Sequence, residues 1–252
     1  MAPTPVLLLH GQPGGAHDWA AVTARLDGGA PTIAVDRPGW DSRSAPGDLT
    51  ANARAARDAL DDAGVQRATV VGHSLGAAVA AWLAILDPER VDALVLVAPS
   101  VNRQSLYRLD YLLAHQVIGY PASAVALSSV GLALSAAPLR RRVARLLSLD
   151  ERFLRAAGRS LLTRSTWRAF ASDQRALVEQ LPALEARLAQ IVAPTTIVAG
   201  GADRVVPLAA ARRLATQIQG ARLVVLERAG HLLPQQQAAP LAQLIGAISG
   251  RS

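Results

Sequence analysis

Short apolar runs recur along the chain, each bounded by turn residues and separated by longer stretches with helical spacing. The runs are Val6-Leu7-Leu8-Leu9, Thr32 to Val35, Ala68 to Val71, Ala93 to Val97, Thr195 to Val198 and Arg222 to Leu226. Continuous apolar runs of this length read as strands buried on both faces, as in a parallel sheet. Between them, the spacing predicts a helix from Thr50, as its cap, to about Ala63, with Gly64 as its stop. Leu75 to Leu86 reads as a second, ending before Asp87-Pro88. Pro207 suits the first position of a third, running through Ile218 to Gly220, and Pro240 to Ile248 a last. Strand alternating with helix predicts an α/β fold with a mostly parallel, doubly wound sheet.

That alternation breaks once. From residue 100 to 190 the strand pattern disappears and helical segments dominate. The chain therefore divides into a first core part (1–99), an inserted helical cap or lid (100–190) and a second core part (191–252). From Tyr111 to Leu139 the cap holds no Asp, Glu or Arg, but Gly119-Tyr120-Pro121 interrupts this apolar length. The expectation is an apolar lid over a pocket rather than a membrane span.

Composition refines the picture. Of 252 residues, 51% are hydrophobic and 18% charged, as in a folded globular protein. Aromatics are only 4%, so Ala, Leu and Val must fill the core. With no cysteine, disulfides, thiolate metal sites and a cysteine nucleophile are excluded. The start lacks a basic segment followed by a long apolar run, so a cytoplasmic location is expected. The net charge of +7 lies wholly in the cap, which has 13 Arg against 6 acidic residues; the chain has no Lys. Such a surface is a solvated helical face or one that touches an anionic membrane transiently. No nucleic-acid module accompanies the charge.

Gly72-His73-Ser74-Leu75-Gly76 follows a strand and opens a helix. A sharp turn in that setting exposes a serine hydroxyl, and the glycines relieve crowding between strand and helix. His10-Gly11-Gln12-Pro13-Gly14-Gly15 follows the first strand. Acyl transfer passes through an oxyanion that needs two donors; the Leu75 and Gln12 backbone amides are expected to supply them. Pro13 biases Gln12 towards an extended backbone. Asp203 follows the fifth strand and His231 the sixth. Serine becomes a nucleophile when a neutral imidazole takes its proton, and a carboxylate holds that imidazole in the right tautomer. Ser74, His231 and Asp203 are thus the candidate nucleophile, base and orienting acid. His10 and His73 are expected to pack or hydrogen-bond within their motifs. Asp87, Asp92 and Asp173 read as turn or surface residues. Trp40, Tyr111, Trp167 and the cap leucines are candidates for the pocket wall, with core packing as their other role.

Together these segments resemble the α/β-hydrolase superfamily across nearly the whole chain. Asp36-Arg37-Pro38-Gly39-Trp40-Asp41-Ser42 adds to the likeness, with Asp41 where members often carry a second glycine; Asp87-Pro88-Glu89-Arg90-Val91 is another familiar segment. The resemblance implies a helical cap, no metal and no organic cofactor. Members usually open with two further strands before the His-Gly loop, whereas this chain begins directly with the strand at Pro5. In the family's strand order that leaves Thr32 to Val35 at a sheet edge, which needs protection or a partner such as a second copy paired edge to edge. The expected activity is hydrolysis of carboxylic esters of small to medium hydrophobic substrates. Cleavage of C–C bonds, lactones or peptides, cofactor-free haloperoxidase chemistry, and ligand binding without turnover are the alternatives.

Overall fold

The computed structural model describes residues 3–26, 30–41 and 44–250. Ser42, the end of the Asp36 segment, lies outside the described residues. The six strands are β1 (Val6–Leu9), β2 (Thr32–Val35), β3 (Ala68–His73), β4 (Val91–Val97), β5 (Thr195–Gly200) and β6 (Arg222–Leu226). All pair in parallel, in the order β2-β1-β3-β4-β5-β6. The doubly wound sheet expected from the sequence is the one observed, with β2 at one edge.

Side chains alternate between the two faces of each strand, and two cores result. On one face, Leu7, Leu9, Val70, Leu94 and Leu96 pack against α2 (Leu49–Asp62), α3 (Leu75–Leu86) and α9 (Leu208–Gln217). On the other, Val6, Leu8, Val71, Val95 and Val198 meet the one-turn helices α1 (Ala20–Thr23) and α10 (Leu233–Gln236), together with α11 (Ala238–Ser249). The cap for α2 is Asp48 rather than Thr50: its Oδ1 accepts from the Ala51 amide at 2.7 Å. Gly64 and Gly220 both take positive φ, 67° and 71°, where the chain leaves α2 and approaches β6. Pro207 caps α9 from just outside it.

Between β4 and β5 the chain forms five helices: α4 (Arg108–Ala114), α5 (Gly119–Ser135), α6 (Ala137–Leu147), α7 (Glu151–Ser160) and α8 (Arg164–Glu185). They enclose a separate apolar centre built from Leu113, Leu127, Leu134, Leu149, Leu154, Leu161 and Phe170. The uncharged stretch is split between α4 and α5, which are bent by 116° at the break. No single helix among the described residues is long and apolar enough to cross a membrane.

Candidate active site

Three strand ends converge. β3 carries Ser74 at its tip, β5 leads to Asp203 and β6 leads to His231. The Ser74 backbone has φ 54°, a region that non-glycine residues rarely occupy and keep only when surrounding structure enforces it. Here the Ser74 amide donates to the Val97 carbonyl at 2.9 Å, and the Ser74 carbonyl accepts from Ser100 at 3.2 Å. A Cβ at Gly72 would run into the Gly76 backbone, and one at Gly76 into the Leu9 and His10 carbonyl oxygens. Those approaches explain why the turn needs glycine at both places.

The Ser74 hydroxyl lies 3.1 Å from His231 Nε2, and His231 Nδ1 lies 2.8 Å from Asp203 Oδ2. A carboxylate accepts only, so Nδ1 carries the proton and Nε2 faces Ser74 with its lone pair. The Asp203 side chain is 2% exposed. Burial alone raises its pKa, but the hydrogen bond to His231, the His231 charge and the Val206 and Val205 amides hold it below the usual carboxylate value. Those amides bond to Oδ1 at 2.9 and 2.8 Å. Asp203 therefore stays anionic beside the imidazole.

Leu75 is the first residue of α3, and the first amides of a helix have no partner within it. The partial positive charge of that helix end adds to the field at Ser74. The Gln12 amide donates to no group among the described residues. The Gln12–Pro13 peptide is cis.

His10 hydrogen-bonds within its motif, as expected, whereas His73 bonds outside its own. His73 Nε2 lies 2.9 Å from the His231 carbonyl, which accepts its proton and so braces the base from behind. Burial, then the His231 charge, lowers the His73 pKa to about 3. His10 Nδ1 lies 2.7 Å from the Gly11 carbonyl, and its Nε2 accepts from the Arg37 amide at 3.0 Å. Burial, then Arg37, keeps His10 neutral.

Asp173 corrects the sequence reading: it is buried, not a turn or surface residue. It sits on α8 and takes two hydrogen bonds from Arg37, at 3.2 and 2.8 Å. Arg37 also donates to the carbonyls of His10 and Gly11, at 2.9 and 3.0 Å. One guanidinium thus ties the cap to the loop that carries Gln12. Only the Asp-Arg-Pro-Gly segment signalled Arg37; nothing in the local pattern signalled Asp173.

A cavity of about 380 Å³ holds Ser74, Gln12, Asp110, Phe170 and Gln174 in its wall. The three aromatic candidates do not line it. Trp40 points its indole N–H at Asp173 Oδ2, at 2.8 Å. Trp167 donates to the Leu161 carbonyl inside the cap, at 2.8 Å. Tyr111 is exposed and borders a different depression. A second cavity, of about 580 Å³, holds His231, Arg228 and the cap residues Leu146 and Leu147; Arg204 and Val205 line both.

Residues 4–235 match the model of the alpha/beta hydrolase fold. The chain belongs to the α/β-hydrolase family. A 2-hydroxy-6-oxononadienedioate/2-hydroxy-6-oxononatrienedioate hydrolase from Pseudomonas putida is 29% identical over 95% of this chain and 85% of its own length. Among solved structures, a meta-cleavage product hydrolase from Pseudomonas fluorescens superposes with TM-score 0.73 at 21% identity. That match covers 97% of this α/β-hydrolase and 90% of the other chain. An enol-lactonase from Burkholderia xenovorans superposes with TM-score 0.75 at 19% identity, covering 97% and 91%. At these identities the structural matches carry the fold alone.

Proposed function

We propose that this chain hydrolyses a carbon–carbon bond next to a ketone in a small keto acid, with Ser74 as nucleophile, His231 as base and Asp203 as the residue that orients it. The carrying observation is the unbroken hydrogen-bond chain from Ser74 Oγ through His231 to Asp203. It supports nucleophilic attack at a carbonyl carbon, and the names of the sequence relatives point to the bond that follows it. The ester reading ranks second, since the relatives are named for a keto-acid substrate.

Ser74 Oγ adds to the ketone carbon while His231 takes its proton. The oxygen becomes an oxyanion facing the Leu75 and Gln12 amides, where losing one donor costs about 2.7–4 kcal/mol. The C–C bond then breaks, and its electron pair leaves with a carbon stabilised by conjugation to a second carbonyl, which His231 protonates. Water, deprotonated by His231, releases the acid from Ser74. An ester would differ only in its leaving atom. The machinery around Ser74 is therefore common to both readings, and the substrate decides between them.

The deciding experiment follows 2-hydroxy-6-oxononadienedioate by loss of its dienol absorption and, in parallel, p-nitrophenyl esters from acetate to decanoate. Wild type and Ser74→Ala are compared on both. A Ser74-dependent kcat/KM at least 100-fold higher for the keto acid is expected. The reverse ranking establishes the esterase reading. Absence of Ser74-dependent turnover on either overturns the hydrolase reading for these substrates.

A further inference from the structure

We propose that the cavity beside His231 is a carboxylate subsite, with Arg204 and Arg228 as its cations. The inference rests on the keto-acid reading and says where the acid end of the substrate lies.

Arg204 and Arg228 line this cavity, and no Asp or Glu does. Neither arginine has a hydrogen-bond or ion-pair partner among the described residues. Elsewhere Arg37, Arg90 and Arg140 are each held by a carboxylate. An unpaired guanidinium offers a planar set of donors that matches a carboxylate.

Arg204 follows Asp203 directly, and Arg228 lies on the loop that ends in His231. Both are carried by the loops that hold the acid and the base, and His231 lines the same cavity. Leu146 and Leu147 of α6 form an apolar wall on the same cavity.

The cavity that Ser74 lines differs in charge. There Asp110 lines the wall, with its carboxylate accepting from the Tyr107 amide at 2.6 Å and from Gln174 Nε2 at 3.3 Å. That carboxylate sets the orientation of the Gln174 amide, whose Oε1 has no partner; neither has Gln12 Oε1. A substrate carboxylate placed there would meet the like charge of Asp110 and two unpartnered amide oxygens, with Arg204 as the single cation of that lining, against two arginines and no acid beside His231. A substrate carboxylate is therefore better placed between Arg204 and Arg228 than beside Asp110 and Gln174.

The test is binding without turnover. Glutarate, and glutaramide as its uncharged match, are titrated calorimetrically into wild type and an Arg204→Gln/Arg228→Gln variant. Circular dichroism and thermal melting confirm that the variant is folded. Saturable glutarate binding is expected in wild type, weakened at least tenfold in the variant and by raising NaCl from 50 to 300 mM. Glutaramide is expected to bind wild type at least tenfold more weakly than glutarate. Equal glutarate affinity in both proteins, or wild type that binds glutarate no better than glutaramide, overturns the subsite. Because no bond is broken, this outcome is independent of whether the keto acid is turned over.

Discussion

Arg37 and Asp173 form an ion pair at 2.8 Å, each side chain 1% exposed, across the boundary between the core and the cap. Removing one partner of such a pair leaves an uncompensated buried charge and costs about 3–5 kcal/mol. Asp173→Ala is therefore expected to lower the urea midpoint by a corresponding amount. Arg37→Met/Asp173→Leu, which removes both charges, is expected to lose less. Turnover should fall most in the double variant, because there the His10 and Gly11 carbonyls lose the Arg37 donor that holds the Gln12 loop. A double variant less stable than Asp173→Ala would contradict this account.

Asp203 makes the next prediction. Asp203→Asn leaves the shape of the site intact but favours the wrong His231 tautomer, and kcat is expected to fall by about 10⁴-fold. The same change alters acid stability. The folded carboxyl is depressed, so its stabilisation is fully present above the ordinary value of about 3.9. It is lost as pH falls through the folded value. Denaturation midpoints from pH 6 to 3 should show a steeper loss below about pH 4 in wild type than in Asp203→Asn.

His73 acts over a different window. Its folded pKa is about 3, against about 6.5 in the unfolded chain. Between those values the unfolded chain binds the extra proton, so stability rises with pH. The stabilisation is complete above about pH 6.5 and is lost towards pH 3. The slope is about 1.4 kcal/mol per pH unit for one proton. His73→Gln, which keeps an N–H donor for the His231 carbonyl, is expected to reduce the slope measured between pH 4 and 6 by about one proton. An unchanged slope would show that other groups carry it.

Gly76 tests the turn itself. Alanine there would push its Cβ into the Leu9 and His10 carbonyl oxygens. Both are backbone atoms of β1 and the loop after it, and they cannot rotate away. Overpacking of this kind costs about 1–3 kcal/mol. Gly76→Ala is expected to lower the melting midpoint and to reduce kcat more than tenfold, because the displaced loop carries Gln12. Ala78→Gly, two residues along α3, serves as the control and should lower stability with little change in kcat.

The features legible along the chain are local in origin. The strand runs and helices follow from residue spacing over fewer than twenty positions. Ser74 could be placed because a strand, a glycine-flanked turn and a helix are contiguous in the chain. Asp203 and His231 could be placed because parallel strands send their carboxyl ends to one edge, so residues after β5 and β6 must approach the residue after β3. The cap could be bounded because its strand pattern vanishes.

The tertiary structure decided what depends on how the cap is seated. A polar residue within a long helix reads as solvated, yet Asp173 is buried because α8 docks over Arg37, 136 residues away in the chain. Aromatic identity pointed to Trp40, Tyr111 and Trp167, but the rotation of each element turned Asp110, Phe170 and Gln174 to the cavity instead. Spacing along a helix specifies which residues share a face. It does not specify which face meets the core, because that is settled by packing and by the pairing of buried charge across distant segments.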